Sequence, residues 1–287
     1  MPKKVPTDAA TPAAAPASTP ASAGPQPQVT VRTLQQAKEA GRKITMLTAY
    51  DVMMARWLDD AGVDCVLVGD TVGMVVEGRK DTVGVTVKQM IYHGRIVAEA
   101  VKRAMVIVDL PFPVGSLGIR HTVTSAAKIM KQTGCAAVKM EGGSTQADSI
   151  AALVDAGIPT IAHIGLRPQS IHAMGGFVVQ RDRERLEQDA IAAQEAGAFA
   201  VLIECVPAKI AAMITRDLRV ATIGIGAGSG CDGQVLVTQD LLGYSSQRIG
   251  RFVRRYADFH TAAVDAVAAY CDDVRQGRFP DESESFS

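Results

Sequence analysis

Aromatic residues make up only 5% of this 287-residue chain, with a single tryptophan, and its charges cancel, thirty Lys and Arg against thirty Asp and Glu. A chain without net charge offers no electrostatic footprint for nucleic acid or for an anionic membrane surface. No apolar run is long enough to span a bilayer. The five cysteines, Cys65, Cys135, Cys205, Cys231 and Cys271, contain no C-x-x-C pair. An odd, dispersed set inside apolar runs argues against a disulfide framework or a zinc site and reads as buried thiols in a reducing compartment. A cytoplasmic protein is expected.

Residues 1–28 are almost wholly Pro, Ala, Ser and Thr, without the apolar stretch of a signal peptide or the arginines of a transit peptide. So little apolar bulk cannot offset the entropy of ordering, and a disordered tail is expected there, with a second polar tail over 280–287. Residues 29–279 then form a single domain. At 47% apolar and 21% charged the chain can bury a sizeable core.

One pattern recurs in that domain. Ala61-Gly62 precedes DCVLVGD, Thr133-Gly134 precedes AAVKMEGG, Ala156-Gly157 precedes PTIAHIG, and Ala196-Gly197 precedes AVLIECV. Glycine just past a helix end adopts the left-handed conformation that caps it. The short Val-, Ile- and Leu-rich runs that follow suit strands covered on both faces. Adding ITMLTAY, MVIVDLP, TIGIGAG and QVLVTQD gives eight candidate strands. Helical stretches at 51–61, 87–103, 123–133, 145–156, 182–196 and 207–215 separate most of them. This alternation predicts an α/β fold, a (βα)8 TIM barrel of about 250 residues. A doubly wound open sheet is the rival, since alternation alone does not establish closure. The span 228–234 is too short for a crossover helix, so the last unit is either degraded or its strand is misplaced.

Polar residues gather at the carboxyl ends of these runs, where barrel active sites lie. Asp70 ends the second, Asp109 lies near the end of the third, Lys139 and Glu141 near the end of the fourth, His163 late in the fifth and Glu204 late in the sixth. Each has a bland reading. Asp70 alone suits a helix N-cap, Asp109 a brace for the turn at Pro111, Glu141 a partner for Lys139, and His163 a hydrogen-bonded core residue. Glu204, inside VLIECV, fits none of these: an unpaired carboxylate there costs several kcal/mol, roughly, or takes up a proton. Carboxylates converging on one rim, without cysteine, make a hard oxygen-rich site suited to Mg²⁺, with manganese or cobalt as substitutes. Such an ion suits a small chelating oxyacid and stabilises charge on a carbonyl oxygen. Lys139 would complement a substrate carboxylate, and Glu204, raised in pKa, would serve as general base. The glycines of GIGAGSG (224–230) match no phosphate-loop spacing and suit a tight turn or a close backbone approach.

Six ordered motifs, VGDTVGM (68–74), DLPF (109–112), VKMEGG (138–143), GLRPQS (165–170), LIECVP (202–207) and GIGAG (224–228), together with TAYD (48–51) and DGQVLV (232–237), resemble the ketopantoate hydroxymethyltransferase family over 29–279. The resemblance implies a barrel related to the phosphoenolpyruvate mutase and isocitrate lyase group. It implies condensation of 3-methyl-2-oxobutanoate with the one-carbon unit of 5,10-methylenetetrahydrofolate, giving ketopantoate on the route to pantothenate and coenzyme A. Carried over by motif, Asp70, Thr71, Asp109 and Lys139 bind the ketoacid, Asp70, Asp109 and Glu141 form the magnesium site, and Glu204 is the proton acceptor. A decamer of two pentameric rings is also implied. The chain departs from the family pattern where Thr71 replaces a more usual serine, and where Gly84 stands in place of proline, so that the loop 79–85 is expected to be more mobile. It departs again at FVVQRDR after Gly175-Gly176, where members often carry a tyrosine or lysine in a loop expected to cover the site. Two rivals remain: a carbon–carbon lyase or mutase of the same superfamily, whose usual K-K-C-G-H string is absent here, and a non-catalytic barrel, which would have lost the acids.

Overall fold

The computed structural model describes residues 27–245 and 250–286, so the tail expected over 1–28 lies outside the described residues except for 27 and 28. α1 (Val31–Glu39) leads into β1 (Ile44–Thr48), and α2 (Val52–Asp60) into β2 (Cys65–Val68). The one-turn α3 (Val72–Val75) and the longer α4 (Val87–Ala100) precede β3 (Met105–Asp109), α5 (Ile119–Thr133) precedes β4 (Ala137–Glu141), and α6 (Ala147–Asp155) precedes β5 (Thr160–Gly165). The short α7 (Ile171–Met174) and α8 (Arg183–Glu195) lead to β6 (Ala200–Glu204), and α9 (Ala208–Asp217) to β7 (Ala221–Ile225). β8 (Gly233–Leu236), α10 (Thr238–Leu241) and α11 (Phe259–Arg275) complete the order. All eight strands are parallel and in sequence order, with β8 paired back to β1. Closure makes this the (βα)8 barrel and disposes of the open sheet.

The glycine punctuation is realised as expected. Gly62, Gly134, Gly157 and Gly197 follow α2, α5, α6 and α8 with φ of 81°, 75°, 77° and 89°. A β-carbon would be strained at each, and none is present. At the opposite ends, the side chains of Asp51, Thr86 and Asp182 accept from the backbone N–H groups of Met54, Gln89 and Arg185, capping α2, α4 and α8.

Strand periodicity divides the core into two layers. Ile44, Met46, Cys65, Leu67, Met105, Ile107, Ala137, Ile161, Ala200, Leu202 and Ile223 pack into one cluster, the barrel interior. Their neighbours Val66, Val68, Val106, Val108, Val138, Ala162, Ile164, Val201 and Ile203 belong to a second cluster, shared with the helices. Burial on both sides explains why the strands read as unbroken apolar runs.

The last unit is degraded. β7 and β8 are joined by a loop without a helix, and β8 ends at Leu236 rather than continuing through Asp240, which sits in α10. The loop glycines press against α9: a β-carbon on Gly230 would meet that of Ala212 at 2.7 Å. The expectation of a tight turn there is met. The sequence reading gives no element to the stretch occupied by α11, a helix that buries none of its side chains.

Gly233 seals β8 against β1, and a β-carbon there would stand 2.5 Å from the Ile44 carbonyl oxygen and 2.7 Å from Ile223 Cδ1. Backbone cannot give way as a flexible side chain does. Gly233→Ala is therefore expected to lower stability by about 2 kcal/mol, read as a lower urea midpoint. An unchanged midpoint would contradict this account of closure.

Candidate active site

The inward parity of the strands carries the site. Asp109 follows Met105 and Ile107, Lys139 and Glu141 follow Ala137, His163 follows Ile161, and Glu204 follows Ala200 and Leu202, all on the interior face. Apolar layers fill the lower barrel and polar groups its carboxyl-terminal mouth. Asp70 arrives differently, from the turn after β2. Its predecessor Gly69 explains the GD sequence, because a β-carbon there would stand 3.4 Å from Asp109 Oδ2 and 3.2 Å from Thr71 Oγ1. Without one, the Asp70 N–H donates to Asp109 Oδ2 at 3.0 Å. The N-cap reading of Asp70 is thereby replaced: α3 begins after Thr71 without a side-chain cap.

Asp70, Thr71, Asp109, Lys139, Glu141, His163 and Glu204 all line one cavity of about 50 Å³. The Lys139 ammonium lies 2.8 Å from Asp109 Oδ1 and 3.2 Å from His163 Nδ1. The far side of that imidazole, Nε2, lies 3.1 Å from Glu204 Oε2, and Glu141 Oε1 is 3.9 Å from Nδ1. A protonated lysine can only donate, so Nδ1 accepts and the imidazole proton sits on Nε2, facing Glu204. Lys139 pairs with Asp109 rather than with Glu141, its neighbour on the same strand.

Gln169 is the residue that sequence reasoning missed. Its side-chain amide donates to Asp70 Oδ2 and to the Leu110 carbonyl, both at 2.8 Å, and its backbone N–H donates to the two Glu141 oxygens at 3.2 and 3.1 Å. A single residue from the loop after β5 thus ties Asp70, in the turn after β2, to Glu141 on β4. Its only signal was membership of GLRPQS. At the Gly84 departure, Arg79 Nη1 donates to the Gly84 carbonyl at 2.6 Å, and its flexible guanidinium packs over the bare α-carbon.

Burial and like charge dominate the electrostatics. Burial, reinforced by Asp109 and opposed by Lys139 and Gln169, pushes Asp70 up to about 7. Burial and then Asp70 push Glu141 well above the usual carboxylate range. Glu204 rises to about 7 through burial, with Lys139 pulling the other way. For Lys139, burial alone would favour the neutral amine, but the charges of Asp109, Asp70 and Glu141 outweigh it and hold the ammonium. Burial and then Lys139 keep His163 neutral. Among the described residues no three His, Cys, Asp or Glu side chains converge to metal-ligand geometry. Mg²⁺, however, takes only one or two protein carboxylates and completes its shell with water and substrate. Four desolvated carboxylates facing one ammonium leave negative charge uncompensated, and a hard dication fits that donor set.

The closed parallel barrel, with its ionisable groups at the carboxyl-terminal mouth, has counterparts among solved structures, one of them described as a phosphoenolpyruvate mutase/isocitrate lyase superfamily member. It is similar to phosphonopyruvate hydrolase, solved with oxalate and Mg²⁺, at TM-score 0.58 and 16% identity over 88% of this chain and 92% of that one. It is also similar to 2,3-dimethylmalate lyase of that superfamily, at TM-score 0.57 and 18% identity over 90% and 93%. Identities this low define the fold alone. Sequence is more specific: residues 28–282 match the family described as ketopantoate hydroxymethyltransferase. A relative from Rhodopirellula baltica named 3-methyl-2-oxobutanoate hydroxymethyltransferase is 55% identical over 259 residues, 90% of this chain and 96% of its own. One of the same name from Geobacter sulfurreducens is 48% identical over 262 residues, 90% and 98% of the two chains. The chain belongs to the ketopantoate hydroxymethyltransferase family.

The raised Glu204 has a stability consequence. A carboxyl whose folded pKa exceeds its unfolded value stabilises the fold at low pH, and that contribution is lost as pH rises through the folded value. For Glu204 the window runs from the ordinary glutamate value of 4.5 to about 7. In chelator-treated protein, Glu204→Gln should be more stable than the parent at pH 8 by roughly 3 kcal/mol, with the difference vanishing near pH 4. A difference independent of pH, measured by urea denaturation, would refute the desolvated carboxylate.

Proposed function

We propose that this cavity transfers a hydroxymethyl group from 5,10-methylenetetrahydrofolate to 3-methyl-2-oxobutanoate, giving ketopantoate for pantothenate and coenzyme A synthesis. What carries the reading is one juxtaposition: Glu204, a partly desolvated carboxylate, shares a cavity with Lys139 and with the acids Asp70, Asp109 and Glu141. Lys139 offers an ammonium to the ketoacid carboxylate, and Thr71 offers a hydroxyl beside it. Asp70, Asp109 and Glu141 would hold Mg²⁺, one or two of them directly and the rest through its water shell, and the ion would supply Lewis-acid stabilisation of negative charge on the substrate carbonyl oxygen. Glu204 takes the proton from the branched carbon beside that carbonyl. A base with a pKa of about 7 is matched to neutral pH, where it is substantially ionised yet still basic. His163, kept neutral by burial and Lys139, places its Nε2 3.1 Å from Glu204 Oε2, close enough for the imidazole to tune the base although no hydrogen bond joins them. The carbanion formed attacks the one-carbon unit of the donor, and atom balance requires water to provide the hydroxyl oxygen and tetrahydrofolate to leave.

The cytoplasm is the proposed location, supported by five free cysteines, none of them paired. No described helix is long and apolar enough to cross a membrane. We also propose a homo-oligomer, the decamer implied by the family pattern. In support, α11 exposes Val264, Val267, Tyr270 and Val274. The outer wall between β1 and β8 meanwhile leaves an open groove of about 460 Å³ beside Leu47, Val63, Leu236 and Leu241. A second copy is the occupant that matches both surfaces.

Two experiments test these readings. Pure protein should consume 3-methyl-2-oxobutanoate only with the folate donor and Mg²⁺, and chelator should stop it. In deuterated water without folate, Glu204→Gln should slow exchange of the ketoacid's branched-carbon hydrogen by about 10²–10⁴-fold while ketoacid binding survives. Exchange at the parent rate removes Glu204 from the role.

A further inference from the structure

A second cavity, of about 140 Å³, opens beside the first, and Thr71, Pro168, Glu204, Ile225, Leu236 and Val237 line both. Its outer wall is unlike that of the catalytic pocket. Phe177, 58% exposed, and Phe252, 45% exposed, border it. The Phe252 ring lies over bare backbone, for a β-carbon on Gly226 would stand 3.1 Å from its Cδ1. Two large aromatic side chains left in solvent at a site mouth, in a chain with 5% aromatics, call for an apolar occupant.

Asp240 contributes the polar group. It lines this cavity and not the first, is half-buried, and its carboxylate accepts no hydrogen bond from another described residue. Burial raises its pKa while Arg255 opposes the shift. Arg255 itself donates to the Ser245 carbonyl at 2.8 Å. A carboxylate in that position is a two-oxygen acceptor awaiting a pair of donors.

We propose that this second cavity seats the pterin head of the folate donor, with Asp240 accepting from the ring N3–H and the 2-amino group. The inference rests on the functional reading above and adds to it the place and the recognition chemistry of the co-substrate. A pterin is flat and aromatic, which suits the Phe177 and Phe252 faces. Its edge carries two adjacent donors, which suit one carboxylate. Because Glu204 and Thr71 belong to both cavities, a head held at Asp240 presents its one-carbon unit toward the carbon that Glu204 deprotonates. The anionic glutamate tail of the folate is repelled by Asp240 and is left at the open mouth.

The test uses the full chain with Mg²⁺ and two readouts: hydrogen exchange of the ketoacid, which needs no folate, and calorimetric binding of tetrahydrofolate in the presence of ketoacid. Asp240→Asn should leave exchange within about twofold of the parent and weaken tetrahydrofolate about ten- to hundredfold. A tetrahydrofolate analogue lacking the 2-amino group should bind the parent weakly and lose little further affinity in Asp240→Asn. Parent-like binding of tetrahydrofolate by Asp240→Asn, or an equal penalty for the analogue in both proteins, overturns the proposal. Should Asp240→Asn fail to fold, Phe252→Ala takes its place, with an expected loss of about tenfold in tetrahydrofolate affinity and unchanged exchange; unchanged affinity overturns the proposal. A parent protein that exchanges hydrogen and binds tetrahydrofolate, with Asp240→Asn binding it equally well, sinks this proposal alone, whereas a parent that neither exchanges hydrogen nor binds tetrahydrofolate sinks the functional reading beneath it.

Discussion

The whole mouth of the barrel is organised by one imbalance of charge. Asp70, Asp109, Glu141 and Glu204 converge where Lys139 is the one nearby ammonium and His163 is kept neutral. In water four carboxylates would be indifferent neighbours, but in a closed barrel their desolvation and mutual repulsion cannot be screened. The site can relieve the strain by taking up protons, and Asp70 stands near 7 through burial and its neighbour Asp109, or by taking up a divalent cation as proposed above. Burial raises Glu204 to about 7 against the pull of Lys139, which fits it for the proposed role of base. The proposed metal site and the proposed base share one desolvated mouth.

The fold creates that arrangement through parity. Each strand that supplies a polar group supplies apolar interior residues earlier at the same parity: Met105 and Ile107 before Asp109, Ala137 before Lys139 and Glu141, Ile161 before His163, and Ala200 and Leu202 before Glu204. The residues filling the barrel therefore also aim the polar groups at its mouth. Small adjustments then refine it. Gly69 clears the space in which Asp109 accepts from the Asp70 N–H, and Gln169 links Asp70 to Glu141 across the mouth. Beside the base, Cys205 holds a φ of 50°, a left-handed conformation unusual for a residue with a β-carbon, and costs about 1–3 kcal/mol. The Cys205 N–H donates to Ile225 and its carbonyl accepts from Gln180, both at 2.9 Å, so the neighbouring elements fix the turn that follows Glu204.

Much of this was legible in the sequence, and the illegible parts share a cause. Apolar runs after Ala-Gly or Thr-Gly pairs, and acids at their ends, are local signals, and the barrel and its rim of carboxylates follow from them. Closure was not local: nothing in Ile44 or Gly233 alone says that their strands meet. Gln169 carries no charge and no metal-ligand chemistry, so its bridging role exists only once β5 places it over Asp70. Asp240 looked like the end of the last strand because QVLVTQD continues the apolar pattern, yet the chain turns at Val237 into α10. α11 escaped notice because its apolar residues serve no core within the chain, and a periodicity argument looks for a face that is buried.

The central claim is best tested by anomalous diffraction from crystals grown with Mn²⁺ and 3-methyl-2-oxobutanoate. The account predicts one manganese peak per chain in the cavity bounded by Asp70, Asp109 and Glu141, bridged to the ketoacid, with Glu204 outside the coordination shell and facing the branched carbon. A peak elsewhere, or manganese held by Glu204 itself, would contradict it.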